Sequence, residues 1–328
     1  MESLLFVHSG TAVEFLLCLP AIQATRWRFP EARLWLAAPN FACDLAQLAD
    51  CVDAVHPLGA HRSMLAGPSL FRALHALTVL RQQTFDAVIG LTDAIPEQIG
   101  MLLIQARRRL TLRMRSGRDN QHLTDAAAAL VAELGVTPTP PMPRLVLPPA
   151  VQQAERQKLV KLGWRETGLT FVLHPTVGFA PQVWPAEQFA PLAARLVAEY
   201  DAQVLVVETE EEPGLTDRLR GEWKRYKLKP VVLRRPRAAL LAVALAQASV
   251  VVGSNRAPVH VAVAVQTPAV VALEGPQEAS RLAPRGPRNR LLYAQPGRPV
   301  SLDDVFDAVC QVITASRTGA LFGSDGGG

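Results

Sequence analysis

The sequence predicts an α/β protein of two doubly wound, parallel-sheet domains, and three observations predict it. Short apolar runs alternate with helical patterns almost from end to end, as expected of strands covered on both faces by crossover helices. A proline-dense stretch, with Pro138, Pro140, Pro141, Pro143, Pro148 and Pro149, breaks that alternation near the middle. Such a stretch is neither helix nor central strand and reads as a linker. The chain has 328 residues, comfortable for two domains and long for one core. The expected organisation is an N-terminal domain over 1–145, a C-terminal domain over 146–318 and a disordered tail over 319–328.

In the first half, strands are expected over 4–7, 33–37, 52–55, 87–91 and 109–112. Helices are expected over 14–29, closed near Pro30, and over 41–48, 69–83, 95–104 and 123–134, the last ended by Gly135. A helix over 150–161 opens the second half. Strands follow over 169–174, 204–207, 231–233, 249–252 and 269–273. Helices lie over 185–200, with Pro185 suited to the first turn, and over 215–226, 238–247, 257–265 and 302–316. Doubly wound sheets bind ligands at the carboxyl ends of their strands, so a cleft between the two domains is the expected site.

Composition narrows the function. With 49% apolar and 19% charged residues the chain can bury large cores. No apolar run reaches the roughly 18–20 residues of a membrane span. The N-terminus does not read as a secretory signal, because Glu2 stands where a basic segment belongs. The expected location is cytoplasmic. Cys18, Cys43, Cys51 and Cys310 form no CxxC pair and read as free thiols, and no His/Cys pair has metal-ligand spacing. Net charge is +5, with arginine clusters at 107–109, 113–118, 234–237 and 281–290. These are either solvated surface or an attraction to phosphates, to an anionic acceptor or to the inner face of a membrane. No recognition motif or basic–aromatic interleaving supports nucleic acid as a partner.

The most informative stretch is 250–275, VVVGSNRAPVHVAVAVQTPAVVALEG. A buried strand ends in Gly253. The polar turn Ser254–Asn255–Arg256 then leads through Ala257 into a helix with Pro258 in its first turn and His260 half a turn on. Unpaired amides at a helix N-terminus form an anion site, and Arg256 adds a full charge with up to two parallel hydrogen bonds to a phosphate. On physics alone the segment reads equally as a diphosphate pocket or as an ordinary βα turn with a surface arginine and a satisfied histidine.

This stretch resembles the C-terminal signature of glycosyltransferase family 9, the ADP-heptose:lipopolysaccharide heptosyltransferases: G-N-D-S-G-P-x-H-x-A-A-A-x-x-T-P, then a strand and F-G. Gly253, Pro258, His260, Ala262, Ala264, Thr267, Pro268 and Gly275 match. Leu16, Leu19, Pro20, Ala21 and Phe29–Pro30 are similar to the family's first helix, D-x-L-x-x-L-P-A, and its R-x-x-F-P ending. The segment 85–91 resembles its F-D-x-x-I-D-L strand. His174–Pro175, Trp184–Pro185, Glu187 and Phe189 resemble H-P-G-x-x-x-x-K-x-W-P-x-E-x-F. The ordered set spans nearly the whole chain. It implies a GT-B fold of two Rossmann-like domains, the first on the acceptor side and the second holding a nucleotide-sugar, with an ADP-sugar favoured. The implied reaction is inverting and metal-independent transfer of a sugar, a heptose by resemblance, to a lipopolysaccharide-core or other envelope glycan acceptor. The acceptor would be lipid-linked or anionic, and no cofactor is implied.

The departures define the candidate residues. The family's acceptor-activating aspartate is matched by Glu14, which either serves as that base or is a first-turn carboxylate favoured by the helix dipole. The family lysine before the tryptophan is Gln182, and the D-S-G turn is Asn255–Arg256–Ala257. Arg256 is expected to supply the positive charge lost at Gln182. In the acidic run 210–212, Glu211 either accepts ribose hydroxyls or begins a solvated helix. Ser9, Gly10 and Thr11 either line the cleft or form a plain loop, and His174 either faces the cleft or is a core histidine. Because several functional positions changed together, the alternative to an active transferase is a decayed GT-B-fold protein kept for binding or assembly. An epimerase of the same fold has no feature in its favour.

Overall fold

A computed structural model describes residues 1–59, 67–112, 121–137, 142–176, 184–273, 281–294 and 298–318. The chain divides into two units, Met1–Val146 and Leu147–Gly328. The expected tail over 319–328 lies outside the described residues.

The first unit runs β1 (Ser3–Val7), α1 (Ala12–Arg28), β2 (Arg33–Ala38), α2 (Asn40–Leu48), β3 (Ala54–Pro57), α3 (Gly67–Leu80), β4 (Thr84–Gly90), α4 (Ile95–Leu102), β5 (Gln105–Thr111) and α5 (Leu123–Ala132). Its strands stand in the order β3-β2-β1-β4-β5, and every pairing is parallel. β1 alternates its side chains between two layers. Leu5 and Val7 join Trp35, Phe85 and Val88 with Leu80 of α3 and Met101 of α4 in one cluster. Leu4 and Phe6, fully buried, point the other way, toward the layer in which α1 packs against α2 and α5.

The second unit runs α6 (Pro149–Lys161), β6 (Thr170–His174), a 3-10 turn (Ala186–Gln188), α7 (Phe189–Tyr200), β7 (Gln203–Glu208), α8 (Leu215–Arg218), α9 (Arg220–Arg225), β8 (Val231–Arg234), α10 (Ala238–Ala246), β9 (Val250–Ser254), α11 (Ala257–Ala264), β10 (Ala269–Leu273), β11 (Arg290–Tyr293) and α12 (Leu302–Thr318). The six-stranded order is β11-β10-β9-β6-β7-β8, again parallel throughout. Phe171, Leu173, Val204, Val206, Val250 and Val252 meet α7, Trp223 of α9 and the apolar stripe of α12 on one face. α10 packs against α6 and α11.

Several expectations need correction. The strand expected over 109–112 runs over Gln105–Thr111, starting four residues earlier because it pairs with β4 from Thr84 opposite Gln105 onward. The strand expected over 52–55 lies at Ala54–Pro57, two residues later, because its register is set by pairing Trp35 with Ala54. The helix over 185–200 starts with the 3-10 turn, and Pro185 is its extended cap. The helix over 215–226 divides at Leu219 into α8 and α9, although Leu219 keeps right-handed helical angles, its amide donates to the Leu215 carbonyl and its carbonyl accepts from the Trp223 amide. The edge strand β11 was not anticipated, since RLLY carries neither a long apolar run nor a clean alternation. The cysteines are free, as read from sequence, and Cys18, Cys43 and Cys51 are buried. Burial pushes Cys43 and Cys51 up to about 12, which removes them as nucleophiles at neutral pH.

Among the described residues, no helix is long and apolar enough to cross a membrane.

Candidate functional site

In each sheet the winding reverses beside the first strand: between β1 and β4 in one unit, between β6 and β9 in the other. At such a point the connections leave toward opposite faces and open a crevice at the strands' carboxyl ends. The sequence-derived candidates fall largely at these two points.

In the second unit, β6 and β9 run side by side with His174 opposite Gly253. β9 runs over Val250–Ser254, two residues past the end expected over 249–252, and Ser254 is buried. Its hydroxyl lies 2.9 Å from that of Thr176, just past the end of β6, so the two strand ends are tied together. Arg256 takes an extended backbone and caps α11 at its N-terminus, with Pro258 in the first turn. Its own side chain is partly exposed. Asn255 and His260 are both buried, and His260 Nε2 donates to Asn255 Oδ1 over 2.7 Å, which fixes the turn against its helix. Ala257 is the first residue of that helix. The sequence motif therefore forms one local structure rather than a set of separate positions.

His174 is the strand-end histidine left open by the sequence. It is buried, and Nδ1–H donates to the carbonyl of Val207 over 3.1 Å. Burial pushes its pKa down to about 4; the bond to Val207 opposes the fall, and the Arg256 charge adds to it. The imidazole is therefore neutral at pH 7, and the positive charge beside it belongs to Arg256.

Glu211 is exposed in the turn after β7. The buried carboxylate of that region is Glu208, which accepts from the Thr216 amide (3.0 Å) and hydroxyl (2.5 Å). Sequence reasoning missed it by assigning the strand end to Val207. Gln182 lies outside the described residues. Trp184 is a core anchor, 3% exposed and edge-on to Phe189 at 4.6 Å.

In the first unit, Ser9, Gly10 and Thr11 form the turn from β1 into α1, with Ser9 buried. Thr11 is the N-cap. Its hydroxyl accepts from the Glu14 amide at 3.2 Å, while Glu14 Oε2 accepts from the Thr11 amide at 2.7 Å and hydroxyl at 2.9 Å. This is a capping box, closed from both sides. The first-turn reading of Glu14 is thus realised through Oε2; Oε1 takes no part in these bonds. Across the switch point, Thr92 follows β4 and its hydroxyl lies 2.9 Å from that of Ser9. Glu97 of α4, only 4% exposed, accepts from the Thr92 amide (3.1 Å) and hydroxyl (2.6 Å). Neither Thr92 nor Glu97 was singled out from sequence. Glu97 there looks like any first-turn acid.

Two doubly wound parallel-sheet units in one chain are the architecture of GT-B-like proteins. The family model "Glycosyltransferase family 9 (heptosyltransferase)" matches residues 76–299, more than half of the sequence. The chain belongs to that family, and it is a glycosyltransferase. Solved structures agree on the fold. E. coli ADP-heptose lps heptosyltransferase II is 16% identical, with 97% of this chain and 100% of that one covered at a TM-score of 0.77. The glycosyl transferase family 9 from Veillonella parvula DSM 2008 is 15% identical over 97% and 96% of the two chains, at 0.76. E. coli heptosyltransferase WaaC with ADP-2-deoxy-2-fluoro heptose is 18% identical over 96% and 99%, at 0.70. A search of the curated proteins gives no match.

The buried, neutral His174 yields a pH prediction. Its value is 6.5 when unperturbed and about 4 in the fold, so between those limits the unfolded chain holds the proton. Stability contributed by this group is complete above pH 6.5 and is lost as the pH falls toward 4. At about 1.4 kcal/mol per pH unit the loss approaches about 3 kcal/mol. His174→Asn keeps a donor and does not titrate. Urea unfolding of wild type should therefore weaken more steeply between pH 7 and 4.5 than that of the variant. Parallel pH profiles would contradict the assignment.

Proposed function

We propose that this chain transfers a heptose from an ADP-linked donor to a lipopolysaccharide-core or other envelope glycan acceptor, with inversion and without a metal. The observation that carries this reading is the Ser254–Asn255–Arg256 turn on a family 9 chain. It sits at the switch point of the second sheet, with the Ala257 amide at the head of α11 and the Arg256 charge beside a neutral histidine. A diphosphate matches that arrangement: the helix N-terminus and the guanidinium both favour negative charge.

In this reading Glu14 accepts the proton of the acceptor hydroxyl. The acceptor oxygen bonds to the anomeric carbon as that carbon's bond to the diphosphate breaks, and ADP leaves. One direct displacement inverts the anomeric centre. Charge growing on the departing diphosphate is met by Arg256 and the Ala257 amide at the head of α11, with the helix dipole behind it; Pro258 has no N–H, and the Val259 and His260 amides donate to the Arg256 carbonyl. The sequence has no DxD motif to bring a cation to that charge. Glu211 remains a candidate for the ribose hydroxyls, and Gln182 a candidate phosphate contact. His8 Nε2 donates to the Thr11 carbonyl over 3.1 Å, which steadies the turn that carries Glu14.

The acceptor's lipid anchor gives a place to a second feature. α4 turns Ile95, Ile99, Leu102 and the following Leu103 outward, each at least 47% exposed. α3, on the same sheet face, turns out Phe71 (74% exposed) and Leu74 (50% exposed). The sequence of α3 holds no carboxylate, and the one acid of α4, Glu97, is buried. Arg72, Arg81 and Arg107–Arg109 are exposed on α3, just beyond it and on β5. Apolar side chains with cationic neighbours and no exposed acid on either helix suit an anionic bilayer surface, at the inner membrane.

Two measurements test these readings. In a thermal-shift and calorimetric panel of ADP, UDP, GDP, CDP and TDP, ADP should bind selectively, and Arg256→Ala should weaken it about tenfold. Unchanged affinity in the variant would remove Arg256 from the donor site; no binding by any nucleotide would remove the donor site itself. For the surface, the protein should co-sediment with phosphatidylglycerol-containing vesicles and not with phosphatidylcholine alone. Phe71→Ser with Ile99→Ser should abolish it. Equal binding to both vesicles, or a salt-stable dimer lost in the same variant, would contradict the membrane reading.

A further inference from the structure

Position 90 ends a strand whose resemblance to F-D-x-x-I-D-L would place aspartate there, yet the residue is glycine. A Cβ added to Gly90 would lie 2.9 Å from Glu97 Oε1 and 2.6 Å from Met101 Sδ. The carboxylate of α4 therefore fills the space into which a side chain from the end of β4 would grow. Glu97 uses that position to bridge two loops. Its two oxygens hold the amide and hydroxyl of Thr92 after β4. Ser9, after β1, hydrogen-bonds to the Glu97 carboxylate as well as to Thr92.

The next residue along is Gly10, and it has no spare room. A Cβ there would meet Glu14 Oε2 at 2.5 Å, the His8 ring at 3.0 Å and the Thr92 methyl at 3.1 Å. The turn that carries Glu14 is thus packed against Thr92, and Thr92 is held by Glu97. Ser9 and Thr92 are 83 residues apart in sequence.

We propose that Glu97 is a positioning residue: a carboxylate on α4, reaching the site through the space left by Gly90, that holds the β1–α1 turn and so sets the placement of Glu14. The inference rests on the reading of Glu14 as the acceptor-activating base. Glu97 itself is enclosed and bonded to both loops, so it acts through Glu14 and not on substrate. Burial raises its pKa, and the bonds from Thr92 and Ser9 oppose that rise. A neutral amide cannot replace it, because Gln turns an NH2 group toward the Thr92 or Ser9 donors.

The test compares Glu97→Gln, Glu97→Asp and the double variant Gly90→Asp/Glu97→Ala, which returns a carboxylate to the same space from the strand side. Hydrogen–deuterium exchange is read first, without any substrate. Glu97→Gln should speed exchange of the peptide covering 8–14 at least tenfold while leaving 170–174 in the second unit unchanged. The double variant should restore protection. Heptose transfer from ADP-heptose to a heptose-deficient lipopolysaccharide acceptor is read second. Glu97→Gln should lower kcat at least tenfold, with KM for the donor within twofold, and both Glu97→Asp and the double variant should recover part of the loss. Unaltered exchange over 8–14 in Glu97→Gln, or a loss that falls on donor KM alone, would overturn the proposal. A wild-type protein without transfer would instead refute the heptosyltransferase reading, and exchange would still decide whether Glu97 holds the turn.

Discussion

Each unit depends on one pairing: the first strand of its sheet with the strand that restarts the winding on the opposite side. β1 pairs with β4, and β6 with β9. These strands are covered on both faces, so their backbone groups are satisfied only by each other and by their outer neighbours. Their apolar side chains are buried throughout. Once the pairs form, the connections after them must leave toward opposite faces. The polar residues at their carboxyl ends are then left facing each other. Ser9 meets Thr92 in one unit, and Ser254 meets Thr176 in the other. Neither contact lies within a helix or strand ladder; each follows from the order of winding.

The two points carry different chemistry. In the first unit the groups are acidic and hydroxylic, in two hydrogen-bonded sets: Ser9, Thr92 and Glu97, and Thr11 with Glu14 in the same β1–α1 turn as Ser9. That arrangement can take up a proton and orient a hydroxyl. In the second unit the histidines serve as scaffold: His174 fixes on Val207 and His260 fixes on Asn255. A charged His174 would cost burial energy and repel Arg256, and its depressed pKa reflects both. The cation at the head of α11 is then Arg256, where an anion would be met by its guanidinium and the helix dipole. On the proposed reading, the first unit supplies the base and the second meets the charge of the leaving group.

Much of this was legible in the sequence because the fold is built from buried parallel strands. Apolar runs such as VVVGS and AVVAL have little freedom to be anything else, and the alternation with helices fixed the class. The βα turn at 254–256 was legible too, since Gly253, the polar triplet and Pro258 lie within six residues. What escaped depends on contacts between distant segments. Glu97 is indistinguishable by spacing from a dipole-favoured acid, and its importance comes from Ser9 and Thr92 arriving from elsewhere. Glu208 escaped because a strand end shifted by one residue turns an exposed acid into a buried one. The β3 register was set by Trp35, not by the apolar letters of the strand itself. The capping box at Thr11 and Glu14 has the T-x-x-E spacing, and the family resemblance drew attention instead to the carboxylate's catalytic role.

The central claim is that the β9–α11 turn holds the diphosphate of the donor. A crystal structure of the protein with ADP tests it most directly. The account predicts phosphate oxygens within hydrogen-bond distance of the Arg256 guanidinium and of the Ala257 amide at the head of α11, with His174 still bonded to Val207. A well-ordered ADP whose phosphates lie away from 254–257 would contradict it.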